Sequence, residues 1–112
     1  MLMGPLIHFL PNFYLPHASG CNLGNRTIAA HKFALESLGV KIEVTNDSYK
    51  VKVNKLKPSD IVMYEAGDTA CENILTASAL IPGKTTISFA SANYMVPEVC
   101  FFLEKLGANI EG

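Results

Sequence analysis

A chain of 112 residues has room for one domain or part of one. With 49% hydrophobic and 17% charged residues it is too apolar for a disordered tail, yet no apolar run reaches the roughly 18 residues of a membrane span. The net charge of −1 argues against a nucleic acid or an anionic membrane as a partner recruited by bulk charge.

In chain order, residues 1–10 read as a helix that accommodates Pro5 near its first turn and is stopped by Pro11. Residues 12–15 read as a short strand, and 16–25 as a loop that holds two glycines, Gly20 and Gly24. Residues 27–38 form a helix pattern, with Ile28, Lys32, Leu35 and Leu38 along one side and Gly39 as the closing C′ residue. Residues 40–45 and 49–53 alternate as two strands of a hairpin turned at Asn46-Asp47-Ser48. A loop, Lys57-Pro58-Ser59-Asp60, leads to a strand at 61–64. Thr69-Ala70-Cys71-Glu72 has the form of a capping box, with Thr69 at the N-cap, and opens a helix running to about Leu80. Residues 85–90 are β-branched and aromatic and read as a strand. A last helix ends at Leu106 and is followed by Gly107 and a terminal strand at 108–111.

The chain repeats itself. Residues 33–44, FALESLGVKIEV, align without gaps on 101–112, FFLEKLGANIEG, with seven of twelve positions identical at a period of 68 residues. Helix, glycine cap and following strand recur together, which points to a duplicated α/β unit whose second copy stops where its hairpin should begin.

The three cysteines, Cys21, Cys71 and Cys100, are odd in number and widely spaced, against a disulfide framework. There is no Cys-x-x-Cys pair, and His8, His17 and His31 lack zinc-ligand spacing. A reducing cytoplasm is the simplest compartment. Ala18-Ser19-Gly20-Cys21 has the look of a lipoprotein processing site, but the preceding segment lacks a basic residue, and prolines interrupt its apolar run. Cys71 and Cys100 fall in helix patterns as small buried hydrophobes, and a lone His31 on a helix face reads as a packing residue.

Cys21 differs from the other two. It lies between Gly20 and Gly24, just before a helix, with Arg26 five residues on. A helix start and a guanidinium both favour thiolate, hence a nucleophilic cysteine able to carry protons. The same helix start offers free N–H groups, and Arg26 a planar fork, to a phosphate or carboxylate. Arg26 is also the first charged side chain of the sequence.

The run Gly20-Cys21-Asn22-Leu23-Gly24-Asn25-Arg26, the helix with His31, Leu35-Glu36-Ser37-Leu38-Gly39-Val40-Lys41-Ile42, Ile61-Val62-Met63 and Glu72-Asn73-Ile74-Leu75 together resemble the UDP-N-acetylglucosamine 1-carboxyvinyltransferases, enolpyruvyl transferases of peptidoglycan synthesis. The resemblance covers essentially the whole chain. It implies an α/β (α+β) fold of repeated βαβαββ units with helices packed inside against sheets. Residues 1–112 would be about one and a half units of a domain that holds three.

The implied reaction moves the enolpyruvyl group of phosphoenolpyruvate to the 3′-hydroxyl of UDP-N-acetylglucosamine and releases phosphate, without a cofactor or metal. Cys21 would help protonate the methylene carbon, form an adduct with phosphoenolpyruvate and be the target of fosfomycin. Arg26 would meet the anionic substrates. Thr27, Ile28, Ala29 and Ala30 would lie beside the nucleotide, as would Glu65, Ala66, Gly67 and Asp68.

Departures from the family pattern are Ala18 and Thr27 in place of prolines, Ala29 in place of an aspartate that contacts uracil, and Gly67-Asp68-Thr69 in place of Ser-Val-Gly. Asn93-Tyr94-Met95 stands in place of Glu-Pro-Glu. The family's further lysine, asparagine, aspartate and arginine groups are outside these residues, so the isolated chain is expected not to turn over. The competing reading is a non-catalytic α/β module that binds an anion or a partner chain, by self-association or by pairing with missing domain segments.

Overall fold

The computed structural model describes residues 3–16, 29–64 and 67–112. In chain order these form α1 (Met3–Leu6), β1 (Asn12–Pro16), α2 (Ala29–Ser37), β2 (Val40–Val44), β3 (Ser48–Val53), β4 (Asp60–Val62), α3 (Asp68–Ser78), β5 (Thr86–Ser88) and α4 (Met95–Lys105).

Two small sheets result. In the first, β3 lies between β1 and β2 and is antiparallel to both. Val51 of β3 stands opposite Phe13 on one side and Ile42 on the other, and all three are buried. The intervening residues Lys41, Glu43, Lys50 and Lys52 face out, as the period of two requires. A tight turn closes the hairpin: Thr45 N donates to Ser48 O (2.9 Å) and Ser48 N to Thr45 Oγ1 (3.1 Å). In the second sheet β4 and β5 run parallel, Ile61 opposite Ile87. Parallel neighbours need a crossover, which α3 supplies.

Helix α3 is the centre of the molecule. It touches α1, α2 and α4, and buries Ala70, Cys71, Ile74 and Ala77. Small residues let the surrounding helices come close, while α2 covers β2 with Ala34, Leu35 and Leu38. Helices thus lie inside against the sheets, as the resemblance implied. No helix among the described residues is long and apolar enough to cross a membrane.

Three sequence expectations are corrected. The capping box does not form: the N-cap of α3 is Gly67, with no side-chain cap. Starting at Asp68 puts Glu72 five residues beyond the cap, two past the position from which a side chain reaches back. The helix expected over 1–10 is, among the described residues, regular at Met3–Leu6 alone, after which Phe9 N and Leu10 N both turn onto Leu6 O. Residues 108–111 form no strand, because no described strand lies alongside them.

The repeat is visible in the backbone. Gly39 and Gly107 have φ of +103° and +106°, values that glycine tolerates and L side chains rarely adopt. Leu35 and Leu103 are both buried. The cover differs, however: Leu38 is fully buried and its repeat mate Leu106 is 70% exposed.

Candidate functional site

Four of the residues singled out by sequence stand at the starts of two helices. Ala29 and Ala30 open α2, with Ala30 buried; Gly67 and Asp68 open α3. Cys21, Arg26, Thr27, Ile28, Glu65 and Ala66 lie outside the described residues.

Three contacts tie α2 to the end of β4 and to α3, and α3 to α1. Phe33 of α2 packs edge-on against Tyr64, two residues past β4, with ring centroids 5.3 Å apart. Asn73 Nδ2 of α3 donates to His31 Nδ1 of α2 (3.1 Å). Asn73 Oδ1 accepts from Gly4 N of α1 (2.6 Å). A backbone N–H can only donate, so that bond fixes which way the amide faces. The NH2 group then points at His31, whose Nδ1 must be the acceptor. Asn73 therefore ties α1, α2 and α3 at one fully buried point. On the other side of α1, His8 Nε2 donates to Ala77 O (2.6 Å), one of the carbonyls left over at the end of α3.

The N-cap Gly67 is extended, with φ −90° and ψ 126°, and its carbonyl accepts from Cys71 N (3.1 Å). With no side chain capping it, the first turn of α3 presents N–H groups of the kind that bind anions. Asp68 sits in that turn, where the helix dipole favours a carboxylate. Its two oxygens turn to the β5–α4 connection: Oδ1 accepts from the Ser91 hydroxyl and Oδ2 from Asn93 Nδ2 (2.7 Å). Ser91 N in turn donates to Cys71 Sγ (3.2 Å), and Phe89 enters the same connection at φ +59°, a strained value for a bulky residue. Asp68 thus has protein partners for both oxygens. The sequence pattern could not pair it with residues 23 and 25 positions away. Asp68→Ala is expected to lower stability by about 1–3 kcal/mol and to speed amide exchange at Ser91 and Asn93. Unchanged exchange there would refute this role.

Cys71 is buried, and burial together with the Glu104 carboxylate pushes the Cys100 thiol up from its ordinary value.

Known proteins place this arrangement. The profile of the family described as EPSP synthase (3-phosphoshikimate 1-carboxyvinyltransferase) matches residues 2–112. A UDP-N-acetylglucosamine 1-carboxyvinyltransferase of Treponema denticola is 37% identical over 112 residues, covering 100% of this chain and 26% of that protein. UDP-N-acetylglucosamine 1-carboxyvinyltransferase 2 of Clostridium tetani is 34% identical, with 100% and 27% covered. The crystal structure of the enolpyruvyl transferase NikO from Streptomyces tendae superposes with a TM-score of 0.81 at 21% identity, over 99% of this chain and 26% of that one, and so shares the fold. The chain spans about a quarter of the length of these relatives. From the profile match across nearly all of its residues, the chain belongs to the EPSP synthase (3-phosphoshikimate 1-carboxyvinyltransferase) family.

Proposed function

We propose that this chain contributes the cysteine loop of an enolpyruvyl transfer from phosphoenolpyruvate to UDP-N-acetylglucosamine, in the cytoplasmic steps of peptidoglycan synthesis. The observation that carries the reading is identity of 37% and 34%, over the whole chain, to two proteins bearing that name. The sequence Gly20-Cys21-Asn22-Leu23-Gly24-Asn25-Arg26 supports it. In this reading Cys21 protonates the enolpyruvyl methylene carbon as the sugar 3′-hydroxyl, giving up its proton, adds to the neighbouring carbon; loss of a proton from the new methyl group and departure of phosphate then restore the double bond. Arg26 holds the anionic groups by charge-assisted bonds. Thr27, Ile28, Ala29 and Ala30 lie beside the nucleotide in this reading, as do Glu65, Ala66, Gly67 and Asp68. Ala29 offers no polar side chain to the uracil. No cofactor is needed, since the substrate carries its own leaving group.

Fosfomycin, an electrophile for an activated thiol, tests the loop. A single adduct on Cys21 by mass spectrometry is expected, with Cys71 and Cys100 unmodified because one is buried and the other holds its proton. Labelling of Cys100 ahead of Cys21, or of none, would favour a non-catalytic module. The isolated 112 residues are expected to release no phosphate from the two substrates; turnover by them alone would overturn the assignment of a partial site.

A further inference from the structure

Asn73 makes two bonds of opposite sense. Its Oδ1 accepts from Gly4 N of α1 (2.6 Å), and its Nδ2 donates to His31 Nδ1 of α2 (3.1 Å). The amide cannot be turned round: Gly4 N–H would then face an NH2 group, at a residue 1% exposed to water. Nor can Gly4 move aside, because it is pressed on α3 so closely that a Cβ there would run into Asn73 O and Thr76 Oγ1. A neutral imidazole whose Nδ1 accepts carries its proton on Nε2. An imidazolium carries a proton on each nitrogen, and its Nδ1–H would meet the Asn73 NH2, donor against donor. His31 is half-buried, so solvent protons reach the ring. Among the described residues, the charged groups on the elements packed round this point are Asp68 and Glu72 of α3, Lys32 and Glu36 of α2 and Asp60 of β4, while α1 has none. Lys41 and Glu43 of β2 face out on the far side of their sheet. No ion pair joins any of these carboxylates to His31.

We propose that Asn73 and His31 form an acid-sensitive clasp between α3 and α2, closed while His31 is neutral and opened when it takes up a proton. Protonation forces one of two losses: the ring leaves Asn73, or the amide turns and strands the Gly4 N–H. The first costs less, because a half-buried ring can swing into water and the Gly4 N–H has nowhere to turn. It loosens the first turn of α2, where Ala29 and Ala30 stand. The direction with pH follows by linkage. The unfolded chain binds this proton near pH 6.5 and the folded junction resists it. The clasp's contribution to stability is therefore complete above that pH and is lost as pH falls through it. His8 is not part of the device. Its Nε2 donates to Ala77 O in either protonation state, so a proton on its other nitrogen leaves that bond in place. The clasp is built from residues 4, 31 and 73 and works alike whatever reaction the chain serves.

The test follows the imidazole nitrogens of the isotope-labelled chain by NMR from about pH 8 to about pH 5, a range that spans histidine titration. The His31 signals are assigned by their loss in His31→Gln. Expected at the upper end are a proton-free Nδ1 and a protonated Nε2, with a midpoint below the ordinary histidine value of about 6.5. As the proton enters, amide exchange at 33–35, whose N–H groups bond back onto the first turn of α2, should speed up about tenfold beyond its intrinsic pH dependence. Residues 40–53 should keep their protection. His31→Gln, whose side-chain oxygen accepts from Asn73 at any pH, is expected to abolish that response, and His8→Gln to leave it. Asn73→Asp offers oxygens to the Gly4 N–H and to a protonated Nδ1 alike, so its His31 midpoint should rise above the ordinary value and its junction should stay closed in acid. A wild-type ring with its proton on Nδ1 overturns the proposal, as does a wild-type midpoint at or above the ordinary value. Acid opening that survives His31→Gln also overturns it. Where Asn73→Asp fails to fold, the wild-type spectra and His31→Gln decide alone.

Discussion

Gly39→Ala is expected to be the most damaging single substitution in the described fold, and Gly107→Ala far milder, although the two glycines are repeat mates. Both have φ near +105°, so each alanine pays a conformational cost of about 1–3 kcal/mol. The surroundings then separate them. A Cβ on Gly39 would collide with the backbone oxygen of Lys55, whereas one on Gly107 meets nothing within 4 Å. Lys55 cannot easily withdraw, because its neighbours are stitched to the same helix end: Asn54 N donates to Gly39 O (3.0 Å) and Lys57 N to Leu38 O (3.0 Å). Relief would break one of these or shift Leu38, which is fully buried. Adding an overpacking term brings the total for Gly39 to about 4 kcal/mol, a large fraction of a small domain's stability. The expected fall in Tm is on the order of 15 °C for Gly39→Ala and about a third of that for Gly107→Ala. Equal losses in calorimetry would mean that the dihedral alone matters and that the contact with Lys55 does not.

Asn73→Ala is the second large effect. The Gly4 N–H would be left buried without its acceptor, at about 1–3 kcal/mol, and the donor to His31 Nδ1 would also be lost. With the cavity left by the amide, a loss of about 3 kcal/mol is expected. The fingerprint is selective: α1 should detach, exposing Met3 and Ile7, while the β1-β3-β2 sheet keeps its exchange protection. A double-mutant cycle with His31→Ala should show about 0.5–1 kcal/mol of coupling. Strict additivity would show that the Asn73–His31 contact contributes nothing beyond its parts.

Much of the fold was legible because the local signals were strong. Gly39 and Gly107 marked helix ends where a positive φ is needed, and both are there. The alternation in 40–53 gave the hairpin and, through Ile42 and Val51, its buried face. What sequence could not supply were the pairings over distance. Thr69 and Glu72 looked like a cap because their spacing fits one, but Asp68 found Ser91 and Asn93 and the helix began earlier. The strand expected at 108–111 has the right residues and lacks a neighbour, since strand formation depends on the pairing partner more than on propensity. Asn73 was quoted only as part of a motif; that it joins three helices follows from contacts 42 and 69 residues apart. At the candidate site, Ala29, Ala30, Gly67 and Asp68 were implied by the resemblance, and the structure puts the first two at the start of α2 and the last two at the start of α3.

The small size of α1 has a consequence for how the chain reaches this state. Four residues are too few to hold a helix unaided. Its anchors are Asn73 and Ala77, each 69 positions away, so the contacts that secure it are among the longest in the molecule. Closing such a span early would cost entropy with little to offset it. Residues 3–6 are therefore ordered late, after α3 has formed. Until then Met3, Ile7 and the uncharged stretch around them travel as exposed apolar chain, the segment most in need of protection from aggregation during synthesis.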